Sequence, residues 1–122
     1  MPKRGLIVAF VLSAALAAGI WALSFPLTGS REPWDAAGPY YFIALAATGS
    51  LSGAIVPKHL GSHYAGAVIG QAAYELAFFK LGALFVLGLG FLAAYTLVFL
   101  AAVALAASFR APAEEQRGPG AP

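Results

Sequence analysis

Residues 64–109 form an apolar run of 46 residues in which Glu75 and Lys80 are the only charged side chains. As a single helix it would reach about 70 Å, more than twice the ~30 Å hydrocarbon thickness of a bilayer. The run has to fold back on itself. Lys80-Leu81-Gly82 is the best place for the reversal, because it joins a charge that seeks an interface to a glycine. The "LGLG" stretch at residues 87–90 is the second choice. This predicts helices over about 62–80 and 84–109.

The rest of the chain has the same character. Of 122 residues, 61% are hydrophobic and 10% charged, whereas a soluble domain is about half apolar and about a quarter charged. A water-soluble fold of this size has nowhere to hide that surplus. Gly5 to Leu27 is long enough to span a bilayer after the basic start "MPKR". Its apolar stretch exceeds the ~7–15 residues of a cleaved signal core, although a basic start and small residues at "AALAAG" also fit such a signal. A loop rich in Gly, Pro and charge, "TGSREPWDAAGP", separates it from an apolar segment at about 39–56, which "PKHLGSH" closes. Asp35 or Gly38 is expected to cap this second helix. Trp34, Tyr40 and Tyr41 are expected as interface anchors, and so is Lys80 by snorkelling. The expected fold is all-α and polytopic: four transmembrane helices at about 5–27, 39–56, 62–80 and 84–109, forming one domain over residues 1–110. Residues 111–122, rich in Pro, Gly and charge, are expected to be a disordered cytoplasmic tail.

Basic residues set the orientation. Lys3 and Arg4, Lys58, and Arg110 with Arg117 lie at the N-terminus, the second loop and the C-terminus, whereas Arg31 in the first loop is set against Glu32 and Asp35. The positive-inside rule then places both termini in the bacterial cytoplasm. The net charge of +2 gives no reason to expect nucleic acid as a partner. The absence of cysteine excludes disulfides and thiolate metal sites.

Gly49 and Gly53, and Gly66 and Gly70, have the small-xxx-small spacing that lets helix backbones approach closely, within the bundle or between copies. The candidate polar site within the apolar segments is Gln71, Tyr74 and Glu75, with Tyr95 or Thr48 as hydrogen-bond partner and Gly88 and Gly90 opening space. A carboxylate within a membrane is a functional lead, because its charge must be neutralised, paired or wetted. It serves as glue between helices, as a proton or cation site, or as an interfacial group. His59 and His63 are spaced for one helix face but lack further ligands, so they are expected to be interfacial loop residues and no metal site is assigned. No nucleophile, phosphate-loop or zinc motif occurs, which points away from an enzyme and from any cofactor.

"PWDAAGPYY", "GQAAY" and "KLGALFVLGLG", in this order across Pro33 to Gly90, resemble a loose group of small four-helix bacterial inner-membrane proteins that carries no assigned activity. Members tend to have a proline in the third turn, where this chain has Ala83. The resemblance implies architecture and inner-membrane location only. Two functions remain. One is a non-enzymatic structural or accessory subunit that binds itself or other membrane subunits through its glycine faces. The other is an oligomeric minimal transporter or channel with Glu75 as its proton or cation site.

Overall fold

Ala, Leu and their neighbours satisfy their backbone groups within helices, at little side-chain entropic cost. The computed structural model describes residues 2–79, 82 and 84–117. Its helices are α1 (Pro2–Thr28), α2 (Tyr40–Ile55), α3 (Leu60–Phe78) and α4 (Phe85–Arg117). The break between α3 and α4 falls at the expected reversal, and "LGLG" lies inside α4. Lys80 itself, with its expected role as an anchor, lies outside the described residues. Some boundaries differ from expectation: α3 starts at Leu60 rather than at about 62. The N-cap of α2 is Pro39, without a side-chain cap; Asp35 instead belongs to a short 3-10 turn over Pro33–Asp35. α4 continues to Arg117, well past residue 109. Glu114, Glu115, Gln116 and Arg117 are good helix formers and extend it through part of the expected tail.

Side-chain pairs give the directions of the helices. Ser13 meets His63 and Trp21 meets Gln71, so α1 and α3 run parallel. Tyr41 meets Gln71 and Ser52 meets His63, so α2 runs against α3. The chain goes up, down, up, down. The tightest pairs are the parallel ones, α1 with α3 and α2 with α4.

The four glycines make those pairs possible. A Cβ on Gly49 or Gly53 would lie closer than 3.0 Å to the backbone of Phe99 or Val103 in α4. A Cβ on Gly66 or Gly70 would collide in the same way with the backbone of Phe10 or Ala14 in α1. Both glycine faces are therefore used within one chain.

Polarity is distributed opposite to a soluble protein. Ser13, Ser24, Ser52, His63, Gln71, Glu75 and Thr96 are buried. Large apolar side chains cover the outside, among them Leu84, Val86, Leu97, Leu105 and Phe109, the last 81% exposed. α1 and α4 are long and apolar enough to cross a membrane; α2 is a shorter apolar helix.

Gly53→Val and Gly66→Val are expected to lower stability by at least ~2 kcal/mol, since backbone and not a flexible side chain occupies the new volume. Gly19→Ala and Gly90→Ala meet open space and are expected to be neutral or up to ~1 kcal/mol stabilising. Thermal unfolding of the four purified variants in detergent checks this.

Candidate functional site

Two polar layers cross the bundle. At the end shared by the start of α1 and the α2–α3 connection, His63 Nε2 donates to the Val56 carbonyl at 2.8 Å, the C-cap residue of α2. With that proton fixed, the neutral ring presents Nδ1 as an acceptor. Ser13 Oγ and Ser52 Oγ lie 2.8 and 2.9 Å from it and 2.9 Å from each other. His63 was expected in a loop. It is instead fully buried on α3, because α3 begins at Leu60 behind a left-handed His59. In an open cleft a Ser–His contact would suggest a nucleophile pair. Here all three side chains are wholly buried, so the cluster ties α1, α2 and α3 together.

Two helical turns above His63, Gln71 uses its whole hydrogen-bonding capacity. Its Oε1 accepts from Trp21 Nε1 at 2.8 Å and from Tyr41 Oη at 2.5 Å. Its Nε2 donates to Thr96 Oγ1 at 2.9 Å and to its own helix at Ala67. One amide thus joins all four helices. The partner expected for this region, Thr48, bonds instead to Ala44 and Leu45 in its own helix. Tyr41, expected at an interface, faces inward. Tyr40 donates to the Ile20 carbonyl at 2.6 Å.

Glu75 lies one turn further along α3, on the same face. It is 6% exposed, and no hydrogen bond from Tyr95 or Thr48 reaches it. Its Oε2 is the one buried side-chain polar atom without a partner among the described residues. The carboxylate lines a cleft of about 540 Å³ together with Glu32, Asp35, Trp34, Tyr95 and Phe79. Gly88 lines this cleft and has open space around it, whereas Gly90 is exposed on the outside. Tyr74 faces elsewhere: it stacks on Phe78 at 4.6 Å and lines a separate cleft with Trp21, Phe25 and Arg31.

The first loop is tied down where it leaves α1 and packs back onto the bundle through Trp34. Ser24 Oγ donates to the Ser30 carbonyl at 2.6 Å, and Thr28 Oγ1 accepts from Ser30 N at 3.1 Å. Trp34 then packs edge-on against Trp21 at 4.9 Å and lies 6.1 Å from Tyr95. Its Nε1 donates to Glu32 Oε2 at 3.0 Å. Partial burial pushes the Glu32 carboxyl above its ordinary range. The Trp34 N–H opposes that shift and neighbouring Asp35 reinforces it. Three of the chain's five acidic residues converge on this cleft, and no Lys, Arg or His lines it among the described residues. Glu32 and Asp35 were not singled out as site residues, and neither were Ser13, Ser52 or Thr96. A legible signal existed: Ser13 and Trp21 are eight apart, as are His63 and Gln71, so two parallel helices carry matching polar layers.

No family model, curated protein or solved structure matches this chain.

Gln71→Leu strands the Trp21 N–H and Tyr41 hydroxyl in the core, at ~1–3 kcal/mol for each unsatisfied group. It is expected to destabilise by more than Thr48→Val, whose hydroxyl bonds only within α2. Paired denaturation curves of the two variants check this.

Proposed function

We propose that the chain is a multi-pass protein of the bacterial cytoplasmic membrane with both termini cytoplasmic, and that it binds a cation in the cleft around Glu75. The carrying observation is the buried, unpartnered Glu75 carboxylate, set in a cleft with Glu32 and Asp35. A buried carboxylate without a counterion is costly, and a cationic ligand relieves that cost.

The membrane part is supported by the apolar exterior, the polar interior and the segregation of charge. Arg110 donates to the Ala54 carbonyl, and Ser62 donates to the Leu6 carbonyl at 2.5 Å. The start of α1, the α2–α3 connection and the Arg110 region therefore share one end. Lys3, Arg4, Lys58 and Arg110 belong to that end, and the three cleft carboxylates to the other. This is the pattern of the positive-inside rule. The accessory-subunit reading loses its main support, because the glycine faces expected to bind partners are filled by the chain's own helices. Below the cleft, the Gln71 and His63 layers fill the bundle, so any transport through it requires an oligomer or a rearrangement.

The chain has no cysteine, so single-cysteine variants report topology directly. Ala37→Cys is expected to react with a membrane-impermeant maleimide on intact cells, and Lys58→Cys only after permeabilisation. The reverse pattern, or extraction of the protein by alkaline carbonate, would overturn the placement. Binding is read by thermal stability across a panel of inorganic and organic cations. A cation at about 100 times its Kd adds ~2.7 kcal/mol, a shift of several degrees in Tm. Glu75→Gln is expected to remove that shift, and a panel without any stabilising cation contradicts the binding role.

A further inference from the structure

The chemistry of the cleft selects among cations. We propose that its ligand is an amphiphilic organic monocation, an ammonium head carrying an aryl or alkyl body. This inference rests on the cation-binding reading above and deepens it.

Three observations carry it. Among the described residues, no three of His, Cys, Asp and Glu are grouped closely enough to hold a metal ion, although three carboxylates line the cleft. The charges are spread around the space rather than focused on one point, which suits a large, weakly hydrated cation. Aromatic side chains share the cleft with those charges: Trp34, Tyr95, Phe79 and Phe91 line it. Rings of this kind attract an ammonium through their negative faces, most strongly where water is displaced. The volume of about 540 Å³ is that of a small organic molecule and far exceeds a bare ion.

The body of the ligand follows from the cleft's other wall. Leu84, Leu87 and Phe91 line the cleft and are also largely exposed on the apolar exterior. The cleft is therefore acidic where the first loop covers it, and it opens sideways between α3 and α4 onto the apolar surface. A ligand with its cationic head at Glu75, Glu32 and Asp35 and its apolar body along Phe91 and Leu87 matches both walls. Such a ligand enters from the bilayer as readily as from water.

The experiment uses the full-length protein in nanodiscs of zwitterionic lipid, with benzyltrimethylammonium as probe and the uncharged, near-isosteric neopentylbenzene as control. Trp34 lines the cleft and Trp21 packs on it, so tryptophan fluorescence reports occupancy. Saturable quenching by the cation alone is expected. Glu75→Gln is expected to weaken binding about tenfold or more, as loss of the buried charge partner implies. Glu32→Gln, in the loop and without a role in the bundle core, is expected to weaken it less while leaving the fold intact by circular dichroism. Equal binding of cation and neutral control, or unchanged affinity in both Glu32→Gln and Glu75→Gln, overturns the proposal. Saturable binding of Na⁺, K⁺ or Mg²⁺ in place of the organic cation overturns the ligand class and leaves the cation-binding reading standing. No saturable cation at all defeats both.

Discussion

The Gln71 amide is the one group that every helix touches. Trp21 from α1 and Tyr41 from α2 donate to its oxygen, and its nitrogen donates to Thr96 on α4 and to Ala67 on α3. Apolar side chains tolerate many rotations of one helix against another at similar energy. A fully satisfied amide in apolar surroundings does not, because any rotation strands a donor or acceptor. Gln71 thereby fixes the rotational setting of all four helices. It also fixes the aromatic group above it. Trp21 and Tyr41, held by the amide, form the platform on which Trp34 of the first loop rests, at 4.9 and 6.2 Å. Glu75, one turn along α3, is consequently aimed into the space roofed by that loop.

The same bundle is drawn together by pairs that are not consecutive in sequence. Glycine lets α1 lie on α3 and α2 on α4 with backbone against backbone. None of these four glycines faces the α3–α4 seam. Near the end of α3 that seam holds the cleft, lined by Phe79, Phe85 and Phe91. The cleft is thus a consequence of where close packing was spent: tight in the parallel pairs, open between the antiparallel neighbours where the chain turns.

Much of this was legible beforehand. Four helices, the reversal after α3 and close packing at Gly49, Gly53, Gly66 and Gly70 follow from hydropathy and spacing, which also single out Gln71 and Glu75 but do not separate a buried Glu75 from an interfacial one. The identity of the partners does not follow. Thr48 is the expected partner from its place along α2, but rotation about the helix axis decides contact, and Thr96 is the threonine on the inward face of α4. "PKHLGSH" is rich in turn formers, so its composition points to a loop at His63. The helix starts at Leu60, two residues before the expected position 62, and His63 falls on its inward face. Glu32 and Asp35 were missed because a loop's reach back onto the bundle is set by tertiary contacts such as Trp34 on Trp21 and Tyr95, which no local pattern encodes.

The contrast between Gln71 and Glu75 bears on function. Among the described residues every other buried side-chain polar atom has a partner; the chain fills all four hydrogen-bonding positions of a buried amide and leaves a carboxylate oxygen one turn away without a partner. A glutamine at position 75 would be nearly isosteric and would carry no charge to desolvate. Keeping a carboxylate there costs stability, and placing two further carboxylates beside it raises that cost through repulsion. A purely structural bundle gains nothing from this arrangement. A binding site does, because the electrostatic stress of the empty cleft is released when a cation enters it, and the aromatic walls convert part of that release into preference for a cation with an organic body.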